Sequence, residues 1–448
     1  MLCSEGFLLS YRPTKIDELE IKSEVTYKYA KPKKVNVWLR IKDEKTIYYS
    51  LPRAWAFKNI THRPLKYFPE LPKFKTKYKL KTIPYKLQEK AFNIILESFK
   101  KTNTAFIIAG CAFGKSLLSL MLFCYFQKRI LIVVDNKTLR GQWKTEEIDK
   151  HIIPTPKVYF WGGGNFDENE FKNADIVIGT IQTMIKDRYD NNIFKTFTLV
   201  IFDEVHVFAP EKFSRIFFKC SPEYILGITA EEGRTDGLEK VYELILGKKV
   251  FWYQNKEENG NDIIVKRHFI ENSLNIKYED FMNAKFYLAE QETRNKYIVN
   301  LVEKIKNKRT GILILSSFRE HLLLLYYLFL EKDPKNRKIS GLLYSGSDNI
   351  DKIVTKKIIF GIDKICAKSF NAPHLDTVII ALPFKSLIRQ ICGRVVRKKH
   401  KNNVVIYDII DTGKLMPFFF NSHSEFRLDF YKSRPRFSIK NKEIDYLF

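Results

Sequence analysis

The chain alternates between short apolar runs and longer stretches in which apolar residues recur every three or four positions. Apolar runs at 105–109, 130–134, 175–178, 198–202 and 224–228 have the length of strands, and the segments between them have helical or looped spacing. A helix is expected at Leu87–Phe99, just ahead of the first run. Strands that are apolar throughout, rather than at alternate positions, belong to a parallel sheet covered on both faces. A second series follows: helix Asn295–Lys306, strand Gly311–Leu315, helix Glu320–Phe329, and strands near 341–344, 377–381 and 403–407. The pattern predicts an α/β chain with two tandem domains, at 81–250 and 291–415. The charged, irregular stretch 251–290 reads as linker plus peripheral structure, and 416–448 as a basic, aromatic tail.

The first 80 residues differ. Val35–Ile41 alternates like a half-buried strand, and Thr46–Tyr49 is its candidate partner. Pro52, Pro64, Pro69, Pro72 and Pro84 then interrupt regular structure. A small β-rich accessory module and a proline-rich linker are expected at 1–80, with no legible function of their own.

Composition changes the picture in three ways. At 448 residues and 45% hydrophobic, the chain can build more than one core. Its net charge of +26 favours a polyanionic partner, with nucleic acid the commonest, although an AT-rich genome also inflates lysine. Cys3, Cys111, Cys124, Cys220, Cys366 and Cys392 form no Cys-x-x-Cys pair, so neither zinc nor a disulfide frame is expected. The longest apolar runs fall short of the ~20 residues that cross a bilayer. The N-terminus lacks the basic start of a signal peptide, so a soluble, intracellular protein is expected.

Three stretches carry chemistry. Ala109-Gly110-Cys111-Ala112-Phe113-Gly114-Lys115-Ser116 lies between an apolar strand and an apolar helix. Such a loop turns backbone N–H groups toward phosphate oxygens at a helix N-terminus. Lys115 would reach the β- and γ-phosphates, and the Ser116 hydroxyl would bind Mg²⁺. Asp203-Glu204-Val205-His206 follows the run Leu199–Phe202, so a strand delivers two carboxylates to the sheet end where open α/β sheets bind ligands. There Asp203 can hold Mg²⁺, and Glu204 can orient and deprotonate a water. Gln390, Arg394 and Arg397 recur at helical spacing, with Gly393 between them, and so share one face. Arginines of this kind can stabilise charge on a transferring phosphoryl group. Each stretch has a plainer reading: a chance Gly-Lys-Ser at a turn, a solvated strand end, an ordinary basic helix. For His206 the choice lies between a structural histidine and a hydrogen-bonding link to the nucleotide.

In this order the three stretches resemble the superfamily 2 helicase core, over about residues 80 to 412. The resemblance implies two RecA-like domains with ATP and Mg²⁺ between them. It makes Gln88 the glutamine that helps read adenine, completing a nucleotide set of Gln88, Ala109, Gly110, Cys111, Ala112, Phe113, Gly114, Lys115 and Ser116. It assigns coupling of hydrolysis to strand movement to His206, Thr229 and Arg234. Nucleic-acid contacts are implied for Asn136, Lys137, Gln142, Thr180, Gln182 and Thr183 in the first domain, and for Ser317, Arg319, Ser345 and Gly346 in the second. The finer resemblance is to the XPB-like branch and to the transcript-release helicases of poxviruses and related large DNA viruses. It implies a viral protein of the host cytoplasm or virion, with the transcription machinery as a partner. Two departures stand out: Glu231-Glu232 follow Ala230 where Thr-Pro is usual, and Ser369 and Asn371 replace a glycine and an acid. An ATP-dependent helicase or translocase of DNA or RNA is the leading expectation. The rivals are an ATP-switched binding factor with little strand separation, and a small-molecule kinase.

Overall fold

The structure, a computed structural model, describes residues 2–3, 6–22, 34–42, 47–60, 66–110, 113–164, 166–186, 191–220, 222–231, 233–234, 236–253, 262–271, 281–347, 349–368, 372–384, 388, 391–392, 400, 403–413, 418–434 and 436–444. The chain divides into two compact units, Met1–Asn255 and Lys256–Phe448.

Unit 1 opens with short strands: β1 (Leu2–Cys3), β2 (Gly6–Leu9), β3 (Glu20–Lys22), β4 (Lys34–Asn36), β5 (Leu39–Lys42), β6 (Ile47–Leu51) and β7 (Lys66–Tyr67). Five of them form a sheet in the order β5-β6-β2-β1-β7, while β3 and β4 pair separately. The single strand expected at Val35–Ile41 is therefore two. Val37 is buried, and its N–H donates to Leu19 O at 2.9 Å, which ends β4 and sends the chain across to pair β5 with β6. Pro52 precedes helix Arg53–Asn59 at φ −61°, an angle proline holds without cost. The buried Arg53 of that helix donates to Pro222 O at 2.6 Å and Glu223 O at 3.0 Å. The β-rich module is thus pinned to the start of a core strand of its own unit.

The core of unit 1 is a seven-stranded sheet. β8 (Lys79–Leu80) pairs with β11 (Ile152–Ile153) outside it. The sheet comprises β9 (Thr104–Ala109), β10 (Ile130–Val134), β12 (Val158–Trp161), β13 (Ile176–Thr180), β14 (Leu199–Asp203), β15 (Tyr224–Thr229) and β16 (Phe251–Tyr253). Its order is β12-β13-β10-β14-β15-β9-β16, and every pairing is parallel. Every residue of β9 and β10 is buried, as uninterrupted apolar runs require. Alternate residues feed two apolar clusters, one on each face.

Unit 2 repeats the plan with β17 (Ile263–Glu271), β18 (Ile312–Ser316), β19 (Ser340–Leu343), β20 (Ile358–Ile362), β21 (Thr377–Ile380), β22 (Val404–Thr412) and β23 (Phe437–Ile444). The order is β19-β20-β18-β21-β22-β17-β23, again all parallel. Numbered within each unit, both sheets run 3-4-2-5-6-1-7. The chain holds two tandem RecA-like domains and a small β-rich N-terminal region.

Two expectations fail here. The stretch 251–290 supplies β16 to the first sheet and β17 to the second, so it is not merely linker. The stretch 416–448 is not a tail: helix Phe418–Lys432 packs on the second sheet, and β23 closes its edge. β17 was hidden by Lys266-Arg267-His268 at its centre. Arg267 and His268 are buried all the same, because Arg267 donates to Ser424 Oγ at 2.7 Å and His268 Nδ1 lies 2.6 Å from the Tyr297 hydroxyl. Among the described residues, no helix is long and apolar enough to cross a membrane. Cys124, Cys220, Cys366 and Cys392 are free thiols.

Candidate active site

The loop after β9 is held from three sides. Its edge neighbour β16 accepts the Gly110 N–H through Tyr253 O at 2.9 Å. The Phe113 ring lies 5.0 Å from that of Tyr253 and 5.5 Å from that of Phe251. Gln88, at the start of helix Lys86–Thr102, donates to Phe113 O at 2.7 Å and accepts the Tyr85 N–H at 2.9 Å. Gln88 is buried, and both ends of its amide are used on the protein. It braces the loop in this conformation and does not present its amide to a base. Gly114 sits at φ +85°, and a Cβ there would come within 2.3 Å of Gln88 Nε2. Glycine is needed both for the angle and for the space. Helix Lys115–Phe126 begins at once, so its first N–H groups and Ser116 face the loop. Lys115 Nζ donates to Ala109 O at 3.1 Å, folding back over the loop. Cys111 and Ala112 lie outside the described residues.

Two sheet positions away, β14 ends in Asp203. The Trp143 indole N–H donates to Asp203 Oδ2 at 2.8 Å. Burial and the neighbouring Glu204 charge push Asp203 up to about 6, against the pull of Trp143 and Lys115. Glu204 takes the left-handed conformation at φ 54° and ψ 54°, uncommon for a residue with a side chain. Burial pushes its carboxyl up. The charges of Lys115 and His206, with the Ala230 N–H and Thr229 hydroxyl, outweigh burial and hold Glu204 below the usual carboxylate range. The two adjacent carboxylates are thus shifted in opposite directions by their surroundings.

Thr229, at the end of β15, ties the network together. Its hydroxyl donates to Glu204 Oε2 at 3.2 Å and accepts the Glu231 N–H at 3.0 Å. His206 Nδ1 lies 2.8 Å from the same oxygen. A hydroxyl has one proton, so with that proton donated to Glu204 the contact is completed by a proton on His206 Nδ1. His206 Nε2 then faces Glu231 Oε2 at 3.6 Å. Arg234 donates to His206 O at 2.5 Å and grips Asp236 with two bonds of 2.8 and 2.7 Å. The strand-end residues Asp203, Glu204, His206, Thr229 and Arg234 therefore form one connected group. Trp143 and Glu231 belong to it as well, and residue pattern alone did not single them out.

A second group lies at the ends of β10, β12 and β13. Asn136 caps helix Lys137–Gln142 by accepting the Leu139 N–H at 2.9 Å. The Thr180 and Thr183 hydroxyls are buried and 3.0 Å apart, so they bond each other. Exposed Gln182 donates to Asp135 at 3.5 Å, and Gln142 is half-buried. Gly162, at φ +109°, packs against Thr183, and a Cβ on Gly163 would meet Lys137 Nζ at 2.9 Å. The turn Gly162-Gly163-Gly164 is a part of this surface that the sequence reading missed, although three consecutive glycines were a signal. In unit 2, Ser317 accepts from Lys285 Nζ at 2.5 Å and donates to Asp363. The Arg319 guanidinium stacks 4.3 Å over the Tyr344 ring, and Ser345 and exposed Gly346 follow in the next turn. Gln390, Gly393, Arg394 and Arg397, with Ser369 and Asn371, lie outside the described residues. The approach to that segment is described: Arg427 donates to Phe384 O at 2.7 Å while bonded to Asp408 at 2.8–3.1 Å, and Ile388, Ile391 and Cys392 are buried with Phe430 and Tyr431.

The donor set suits Mg²⁺. Hydroxyl and carboxylate oxygens from Ser116 and Asp203 are hard ligands, and Mg²⁺ takes one or two carboxylates alongside phosphate and water.

The family described as "Type III restriction enzyme, res subunit" matches residues 81–231. A protein of Acanthamoeba polyphaga mimivirus, whose name describes an ATP-dependent RNA helicase, is 27% identical over 342 residues, covering 72% of this chain and 63% of the relative. The ATP-dependent DNA helicase uvsW of Enterobacteria phage T4 is 22% identical over 325 residues, covering 68% of this chain and 64% of the relative. The chain thus spans less than two thirds of the length of these two relatives. Among solved structures, a fragment of an HsdR-type subunit of a type I restriction enzyme from Vibrio vulnificus aligns over 82% of this chain and 70% of its own. Its TM-score is 0.58 and its identity 15%, a likeness of fold.

Proposed function

We propose that this chain, a superfamily 2 helicase by its core, is a nucleic-acid-dependent ATPase that moves along or separates strands of DNA or RNA. One observation carries the reading. Glu204 is held by Thr229 and Ala230 beside the loop lysine, with its carboxyl kept ionised while the adjacent Asp203 is pushed up. An ionised carboxylate held by a hydroxyl and an N–H beside a lysine is suited to orient a water and take its proton. In this reading the 109–116 loop and the Lys115–Phe126 helix start bind the triphosphate, and Lys115 neutralises its terminal phosphates. Ser116 and Asp203 would hold Mg²⁺, which when bound supplies charge neutralisation to the phosphates. The hydroxyl of Thr229 and Nδ1–H of His206 fix the Glu204 carboxylate, and Arg234 fixes His206 through its carbonyl. Hydrolysis alters what Glu204 accepts, and the change passes through Thr229 to β15. Gln390, Arg394 and Arg397 are assigned, by residue type and spacing, to the charge of the transferring phosphoryl.

Asn136, Lys137, Gln142, Thr180, Gln182 and Thr183, with Ser317, Arg319, Ser345 and Gly346, are assigned to the nucleic-acid backbone. The Thr180–Thr183 bond and the Asn136 cap shape turns that would offer backbone N–H groups to phosphates. The relatives' names divide between RNA and DNA, so the choice is left to experiment. A place among viral transcript-release helicases is the finer form of the proposal. The rival is an ATP switch with little strand separation, favoured by Ser369 and Asn371 in place of a glycine and an acid. ATP hydrolysis measured with and without single-stranded DNA, duplex DNA and RNA tests the reading. Stimulation by at least one of them is expected, and hydrolysis indifferent to all three would sink it. Displacement of a labelled strand from a partial duplex separates it from the rival.

A further inference from the structure

Unit 2 carries an aromatic feature that the assignments above do not use. Phe318 directly follows the first two residues after the apolar run of β18 and is buried. Phe286, on helix Phe281–Glu290, lies flat against it, with ring centroids 4.0 Å apart and planes inclined by 4°. Yet Phe286 is 46% exposed. A single exposed phenylalanine needs no explanation, but a fixed one in this place does. The two rings are parallel and in contact. The neighbours hold them. Ala284, Leu288 and Ala289 of the same helix pack with Phe318, Leu382 and Phe420. One residue before each ring, Lys285 Nζ donates to Ser317 Oγ, which donates in turn to Asp363. The helix is thereby tied to the ends of β18 and β20.

The surroundings say what such a ring could meet. Ser317 and Arg319 flank Phe318 in sequence, and the Arg319 guanidinium is steadied 4.3 Å above the Tyr344 ring. An exposed ring stacked on a residue that Ser317 and Arg319 flank in sequence, on a chain with a net charge of +26, matches a ligand with a flat aromatic face and a polyanionic backbone. An aliphatic protein partner would match the ring but not the charge. Bases in a duplex have their faces already stacked, so the matching ligand is single-stranded.

We propose that Phe286 is a stacking platform for an unpaired nucleobase, with Ser317 and Arg319 on the adjoining backbone. The platform rests on the nucleic-acid-dependent reading above and adds to it a contact to the base of a single strand. Base stacking tolerates any sequence, because every base has a π-face.

The test is fluorescence anisotropy of the full chain with a labelled single-stranded oligonucleotide and with the same strand made abasic. Wild type, Phe286→Ala and Phe286→Trp are compared, with thermal melting to show that each is folded. Phe286→Ala is expected to bind the normal strand roughly tenfold more weakly, the loss of one base stack. Phe286→Trp should bind like wild type, and the abasic strand should bind wild type and Phe286→Ala alike. Equal affinity of wild type and Phe286→Ala for the normal strand would overturn the platform. So would an equal loss on the abasic strand, which would mean that the ring acts through the fold. If wild type binds no nucleic acid at all, the wider functional reading falls with it. If wild type binds and the variant is indistinguishable, only the platform falls.

Discussion

The two sheets have one strand order and opposite uses of charge. In unit 1 the fifth strand, β14, ends in Asp203-Glu204, whereas its counterpart β21 in unit 2 is followed by Ala381 and Leu382, both buried and apolar. The ionisable groups at the end of β14 are incompletely balanced: Asp203 is pushed up to about 6, Glu204 is held down, and one lysine faces both. Two of the most deeply buried arginines of unit 2 are each matched to a carboxylate. Arg294 grips Asp411 with bonds of 2.7 and 3.0 Å, and Arg427 grips Asp408, which also accepts from the Tyr431 hydroxyl at 3.2 Å. Matched pairs of this kind specify a fold, and unmatched clusters at a strand end mark a site. The same scaffold therefore ends its fifth strand in two acids in one copy and in apolar residues in the other.

The largest effect that would sharpen this contrast is on stability. Arg427→Ala leaves Asp408 buried without its partner, which costs about 3–5 kcal/mol. Chemical denaturation followed by a probe in each unit should show the unit 2 transition moving to lower denaturant and the unit 1 transition staying in place. A uniform shift of both would break the distinction between the units.

A smaller effect is expected with pH. Burial, with Lys442 and Lys266 nearby, pushes His268 down to about 4, and His321 is likewise pushed well below its ordinary value. The unfolded chain takes up these protons first as pH falls below about 6.5, so stability is full above that pH and declines toward 4. For His268 alone the loss reaches about 3 kcal/mol at the acid end. Thermal melts of His268→Gln and wild type across this window should converge as the pH falls. Parallel curves would contradict the buried, neutral histidine.

Much of unit 1 was legible in the sequence. An apolar run, a Gly-Lys-Ser loop and an apolar helix have few other solutions, and two acids after a second run land at the same sheet end. What escaped was whatever depended on distant partners. β17 carries three basic residues in succession and can be a central strand only because Ser424 and Tyr297 meet two of them. β23 reads as tail because it is a half-exposed edge strand whose pairing with β17 crosses most of the unit. Nothing local to Trp143 shows that its N–H reaches Asp203. Nor does anything local show that the Gln88 amide is spent on the Tyr85 N–H and the Phe113 carbonyl.

The central claim is that the end of the first sheet hydrolyses ATP through Glu204. The direct measurement is single-turnover hydrolysis by Glu204→Gln, alongside nucleotide binding by the same protein. The amide keeps the size and can still accept from Thr229 and Ala230, but it cannot take a proton. Binding within a few-fold of wild type is expected, with hydrolysis slower by roughly 10²–10⁴-fold. Hydrolysis at the wild-type rate by a folded Glu204→Gln that binds ATP would contradict the account.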